Sequence, residues 1–411
     1  MPAARGELMD FGIDRLLSDC DLLGRLAGRR VAVVAHPASV TACCAHTLDA
    51  LAAAGVDVVA ALGPQHGLRG EKQDNMEESD DFHDPRLGIP VHSLYGRVRR
   101  PTAAMLTDCD LLLVDLQDVG CRVYTFLTTL RFVLEAAAAT DREVWVLDRP
   151  NPAGRPVEGL RLEPGEESFV GAGPLPMRHG LTLGEMAGWF VARLGLDVAW
   201  SVVPLVGWQP GSAPGWGWPL GERTWVNPSP NAASPWMPRV YPGTVLLEGT
   251  WLSEGRGTTR PLEQWGFPGI DGADWLATIE SLAPQWLPGC RLRPCWFEPT
   301  FHKHAGLLCG GVQIHVDDVG HDPARFRPWR LLAAALKAFR RLRPDEPLWR
   351  DFAYEYEFER KAIDVICGGP RLRQWVDDPE ATAADLDAVT LAEEEAWREE
   401  RRPWLLYPDV P

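Results

Sequence analysis

The 411-residue chain lacks most of the features that announce a cofactor, a nucleic-acid partner or a membrane. There is no C-x-x-C pair and no Cys/His spacing of a zinc site. Its nine cysteines, an odd number, lie singly apart from Cys43 and Cys44. They read as reduced structural thiols, with Cys109, Cys121 and Cys309 in apolar surroundings where a thiol serves as a small hydrophobe. No G-x-G-x-x-G follows the first apolar run, so a dinucleotide has no phosphate loop to bind. Basic residues are in deficit, 41 Lys and Arg against 57 Asp and Glu, and the formal net charge of −16 argues against nucleic acid or an anionic membrane as partner. No stretch approaches the roughly 20 apolar residues of a membrane span. Residues 1–30 hold no uninterrupted apolar segment behind a basic start, so the sequence predicts a cytoplasmic protein. Internal repeats and low-complexity tracts are absent as well.

What is present is an ordinary globular composition, 45% apolar and 24% charged, in a chain long enough for two domains. Four apolar runs read as buried strands: Val31 to Ala35, Val58 to Leu62, Leu111 to Val114 and Val144 to Leu147. Each runs directly into polar residues able to do chemistry. These are His36, then Gln65 and His66, then Asp115, Gln117 and Asp118, then Asp148, Arg149 and Asn151. Between the runs, Thr47 to Ala54 closed by Gly55, and Tyr124 to Ala139, carry the periodicity of helices with one buried face. Strand alternating with helix predicts an α/β fold with a parallel sheet covered on both faces. In such sheets ligands bind beyond the carboxyl ends of the strands, where the four polar clusters fall.

After Pro156 the texture changes to a Pro/Gly/Trp-rich region, and the domain boundary is placed there, giving domains 1–155 and 156–411. One helix is predicted over Thr182 to Leu194, a long loop over Trp208 to Pro242, and a strand over Cys309 to Val316. A basic amphipathic helix over Pro328 to Leu342 and an acidic one over Ala381 to Arg401 follow. Many of the eighteen tryptophans crowd Trp189 to Trp275, where they suit either stacking surfaces for sugars or plain core, core being the expectation for most. Two glycine-punctuated segments add candidate ligands. Gly63 to Gly70 carries Gln65, His66 and Arg69, and Val240 to Glu263 carries Glu248, Glu254, Arg256 and Thr258.

At these residues the chain resembles a known family. The strings Pro64-Gln-His-Gly-Leu-Arg-Gly70, Ser93-Leu-Tyr-Gly96 with Pro101-Thr102, Asp115-Leu-Gln-Asp-Val-Gly120, Leu147-Asp-Arg-Pro-Asn-Pro152, Asn227-Pro-Ser-Pro-Asn231, Glu248-Gly-Thr250 and Ser253 to Thr259 are similar, in the same order, to those of the exo-β-N-acetylmuramidases, formerly a family of unknown function, DUF1343. The resemblance spans roughly residues 28 to 408. It implies a Rossmann-like first domain, a second α+β domain, a cleft between them, and removal of terminal N-acetylmuramic acid from peptidoglycan fragments without metal or organic cofactor. One position departs from the pattern. Where the family usually has Pro-Glu-His-Gly this chain has Gln65, and an amide cannot transfer a proton.

Glycoside hydrolysis calls for two carboxyl groups about the scissile bond. The candidates are Glu77 and Asp115 from the first domain and Glu248 and Glu254 from the second. For substrate binding the sequence offers Arg69, Arg149 and Arg256 for a carboxylate, and Asn227, Ser229 and Asn231 for hydroxyl or acetamido groups. Gln65, His66, Gln117, Asp118, Tyr124, Asp148, Asn151 and Thr258 complete the set. Two other readings stand beside this one. A metal-dependent hydrolase could use His36, His66, Asp115 and Asp118, although no H-E-x-x-H spacing is present; a muramyl-sugar-binding protein without turnover is favoured by Gln65.

Overall fold

The computed structural model describes residues 9–74, 76–213 and 216–410. The first eight residues of the N-terminal stretch, and Pro214 and Gly215 of the long loop, lie outside the described residues. Ten strands are present among the described residues: β1 (Arg30–Ala35), β2 (Asp57–Gly63), β3 (Phe82–Asp84), β4 (Ile89–Ser93), β5 (Leu111–Asp115), β6 (Glu143–Leu147), β7 (Trp200–Val203), β8 (Gln264–Pro268), β9 (Arg291–Phe297) and β10 (Cys309–His315). The first seven form one sheet in the order β3-β4-β2-β1-β5-β6-β7, parallel throughout except for the antiparallel edge strand β3.

Side chains alternate along these strands, and so does their destination. Ala32, Val34, Leu62, Leu112, Val114, Val144 and Val146 join one core, while Val31, Val33, Ala35, Ala61, Leu111, Leu113, Trp145 and Leu147 join the other. Two buried faces explain why the strands read as continuous apolar runs rather than alternating ones. Helices Gly12–Ser18 and Thr47–Ala53 help cover the second face, and Phe126–Thr140 and Leu183–Leu194 the first. The last of these starts where the sequence places it. Thr182 and Glu185 form a capping box, and Gly195 ends the helix in the left-handed conformation.

Strands β8, β10 and β9 form a second, antiparallel sheet against helices Gly272–Leu282 and Pro328–Leu342. The core of the first face runs without a break into this part, through Trp265, Trp275 and the buried side of Pro328–Leu342. The change of texture near residue 155 is not where the first sheet ends, because β7 pairs in parallel with β6. The chain's end also returns to the first sheet. Trp397 of helix Ala383–Arg401 packs on Trp189 at 5.3 Å, and the Tyr407 hydroxyl donates to Asp148 Oδ2 at 2.6 Å. Of the tryptophans between 189 and 275, Trp189, Trp208, Trp218, Trp265 and Trp275 are buried in the cores. All nine cysteines are free thiols, five of them buried. Among the described residues no helix is long and apolar enough to cross a membrane.

Candidate active site

The chain leaves β1 for β2 on one side and returns to β5 on the other, so the topological switch point lies between β1 and β5. Registers Ala35 to Asp115, Val34 to Leu62 and Gly63 to Ser93 bring the carboxyl ends of β1, β5, β2 and β4 to one edge. Beyond that edge, loops of the first part meet the segment 229–256 and the turn 354–356 around a pocket with an empty volume of about 520 Å³. Gln65 and His66 enter it from the loop after β2, and Tyr124 and Thr125 from the loop after β5. Ser229, Asn231, Tyr241, Glu248 and Arg256, with Tyr354 and Glu355, complete the lining.

Among the described residues two carboxyl groups line this pocket, in contrasting surroundings. Glu248 is ion-paired with Arg256 Nη2 at 2.9 Å and accepts from the Tyr354 hydroxyl at 2.7 Å. Glu355 has no Lys, Arg or His within ion-pair distance among the described residues. Its Oε1 accepts from Gln65 Nε2 at 3.1 Å and its Oε2 from the Tyr95 hydroxyl at 2.7 Å. Burial, and secondarily the charge of Glu248, push the Glu355 carboxyl up to about 7, against the two hydrogen bonds, which favour its ionised form. Glu355 and Tyr356 both take positive φ, 48° and 69°, an uncommon conformation for side-chain-bearing residues that clusters at functional sites.

Gln65 is held at both ends, since its Oε1 accepts from Thr125 Oγ1 at 2.7 Å. His66, also at positive φ, places Nδ1 2.8 Å from the Lys72 carbonyl oxygen, and burial lowers its ring to about 4, so it is neutral near pH 7. Tyr124 and Ser229 bring their hydroxyls together, and Asn231 is tied to Gln73 through both ends of its amide.

The remaining residues singled out from the sequence lie elsewhere. Glu254 is 1% exposed and sits behind Arg256, whose Nε reaches it at 2.7 Å, with Lys303 Nζ also at 2.7 Å. Burial alone would raise this carboxyl, but Lys303 and Arg256 outweigh it and hold it well below the usual range. Asp115 is fully buried under the edge and spends both oxygens on Arg149, at 2.5 and 2.9 Å, and on the Thr47 hydroxyl. Asp148 accepts from Thr182, Gly184 and Tyr407, and burial pushes it up to about 6. Gln117 Nε2 donates to the carbonyls of Asp118 and Pro150, Asp118 accepts from Gly120 N, and Asn151 bridges Leu181 and Ala153. These residues form a layer that shapes the loops beneath the pocket. Arg69 stacks over Phe82 at 4.2 Å, Thr258 hydrogen-bonds Gly255 and Gln264, and Glu77 and Asn227 are exposed and outside the pocket lining.

His36 is buried with Nε2 accepting from Gln117 N at 2.9 Å. Among the described residues no three His, Cys, Asp or Glu side chains gather as a group able to hold a metal ion. Tyr95, Thr125, Tyr241, Tyr354 and above all Glu355 were not singled out from the sequence. The string Tyr354-Glu-Tyr-Glu357 was the available signal, carboxylates alternating with aromatic rings in a segment of no clear periodicity.

The chain resembles known proteins over most of its length. The profile described as the N-terminal part of the exo-beta-N-acetylmuramidase NamZ matches residues 31–235, and that of its C-terminal part matches residues 239–407. The chain is 40% identical over 317 residues to the peptidoglycan beta-N-acetylmuramidase NamZ of Bacillus subtilis (strain 168), covering 77% of this chain and 74% of that one. A DUF1343 family protein of Bacteroides fragilis NCTC 9343, known from its crystal structure, superposes with a TM-score of 0.83 at 27% identity, covering 97% of this chain and 99% of the other. A second DUF1343 structure from the same organism gives a TM-score of 0.73 at 25% identity, covering 98% and 99%.

Proposed function

The chain belongs to the exo-β-N-acetylmuramidase family of glycoside hydrolases, and from that premise we propose that it releases terminal β-linked N-acetylmuramic acid from peptidoglycan fragments. The observation that carries the proposal is the pair of carboxyls, Glu248 and Glu355, in one pocket but in opposite electrostatic settings. Divergent environments are how two carboxyls divide acid work from base or nucleophile work. A pocket bounded on several sides accepts the end of a chain rather than its middle, which fits exo action. Arg256 is the guanidinium available to a lactyl carboxylate, and Ser229, Asn231 and Tyr124 are the groups available to hydroxyl and acetamido substituents.

Gln65 cannot carry a proton, so in this reading it positions Glu355 rather than reacting. The same residue supports the competing view, a muramyl-sugar-binding protein that does not turn over its ligand. Incubating the protein with a defined β-1,4 N-acetylmuramyl–N-acetylglucosamine disaccharide and a chelator separates the readings. Release of both monosaccharides is expected. Tight binding without release would favour the binding protein, and activity abolished by the chelator and restored by added metal would favour a metal-dependent hydrolase.

A further inference from the structure

We propose that Glu355 is the catalytic proton donor of this protein, standing at the mouth of the sugar pocket and protonating the leaving oxygen. This inference rests on the glycosidase reading above and assigns a role that position 65, an amide here, cannot fill.

Glu355 lines the sugar pocket and also a neighbouring open groove of about 1220 Å³, bordered by Arg99, Phe132, Phe169 and Tyr356. A proton donor in an exo-acting enzyme must stand at that boundary, because the terminal sugar lies on one side of the scissile bond and the leaving group on the other. Glu248 lines the pocket but not the groove, and Glu254 lines neither.

The groups facing Glu355 come from four elements. Gln65 arrives from the loop after β2, Tyr95 from the end of β4, Arg99 from the loop beyond it, and Glu248 from the turn Val245–Gly249. Tyr354 and Tyr356 flank it in sequence, and the Tyr356 hydroxyl is engaged with Glu78 Oε1 at 3.0 Å. Arg99 stacks between the rings of Tyr95 and Tyr356, at 4.1 and 4.4 Å, and makes its ion pair with Glu78 instead. The carboxyl is therefore buried beside one negative charge, with no paired cation among the described residues, and its protonated form is favoured well above the ordinary carboxylate range, up to about 7.

In the step itself, the Glu355 proton passes to the glycosidic oxygen as the bond from that oxygen to the anomeric carbon breaks. The bonding electron pair stays on oxygen, which leaves as a hydroxyl. Water then supplies a hydroxyl to the anomeric carbon, and its remaining proton restores the Glu355 carboxyl. No oxidant or further reactant is needed.

The test compares two leaving groups. Glu355→Gln should lower kcat/KM on the muramyl disaccharide by about 10²- to 10⁴-fold. It should cost far less on a 4-nitrophenyl β-muramide, whose leaving group departs without protonation. The alkaline limb of the wild-type pH–rate profile should vanish in the variant. Tyr95→Phe, which removes a hydrogen bond to the ionised form, should move that limb to higher pH and keeps the test open if Glu355→Gln fails to fold. Equal losses on both substrates, or an alkaline limb unmoved in both variants, would overturn the proposal. A wild-type protein that hydrolyses neither substrate would overturn the glycosidase reading itself, and the donor assignment with it.

Discussion

Replacing Glu355 by Gln should make folding less sensitive to alkaline pH, by an amount that follows from where the carboxyl sits. In the unfolded chain this group titrates near its ordinary 4.5, whereas in the fold burial raises it to about 7. Between those values the folded state holds a proton that the unfolded state has lost, so stability falls as pH rises through that window. The contribution is present in full below pH 4.5 and gone above the folded value. At roughly 1.4 kcal/mol for each pH unit of separation, the interval corresponds to roughly 3 kcal/mol. Glu355 is 4% exposed, so solvent screening removes little of this. Glu355→Gln lacks the titration, and its stability relative to wild type should climb by about that amount between pH 4.5 and 8. Urea unfolding at a series of pH values, with matched m-values, measures the difference directly. A difference that stays flat across the range would refute the reasoning, because it would mean the carboxyl is not buried in the way described.

Three other substitutions probe neighbouring parts of the account. Gln65→Glu puts a second carboxyl where an amide now donates to Glu355, so the alkaline limb of the pH–rate profile should shift to higher pH; a downward shift would contradict the contact. Arg256→Ala leaves Glu248 and Glu254 buried without their shared cation and should cost about 3–5 kcal/mol, read as a large fall in Tm. An unchanged Tm with weakened sugar binding would assign the guanidinium to the ligand alone. Gly120→Ala should destabilise by about 1–3 kcal/mol, because Gly120 has φ 76° and its added Cβ would lie 2.2 Å from Asn151 Oδ1. Wild-type thermal stability in that variant would show that the loop beneath the pocket repacks freely.

The four apolar runs were legible because a parallel sheet buries both faces, so β1, β2, β5 and β6 appear as unbroken hydrophobic stretches. Helix ends were legible where the capping residue marks them, Thr182 through its side chain and Gly195 through its left-handed backbone. Strands β3, β4, β8 and β9 were hidden for the opposite reason. They are short or half exposed, as in Arg291–Phe297, which carries charge, proline and aromatics in no clean alternation. Strand β7 was missed because its neighbours in sequence are loop-rich, and only pairing with β6 defines it.

At the site, Gln65, His66, Tyr124, Ser229, Asn231, Glu248 and Arg256 could be picked out because they sit in glycine- and proline-bounded strings or at strand ends. What the strings do not carry is the direction in which a side chain is spent. Asp115 and Glu254 look like reactive carboxylates in sequence, yet Arg149 in one case and Arg256 with Lys303 in the other engage them away from the pocket. Glu355 has no mark in the sequence because its significance is entirely tertiary. Its partners Gln65 and Tyr95 are 290 and 260 residues away, and its positive φ has no signature in a non-glycine residue.

The most direct measurement uses a glycan of four sugars, with N-acetylmuramic acid at the non-reducing end and a fluorescent label at the other, alternating with N-acetylglucosamine. An exo-acting muramidase should release one free N-acetylmuramic acid and leave a labelled chain shorter by a single sugar, now ending in N-acetylglucosamine and resistant to further cleavage. Labelled fragments from internal cleavage, or an intact chain after prolonged incubation with folded protein, would contradict the account.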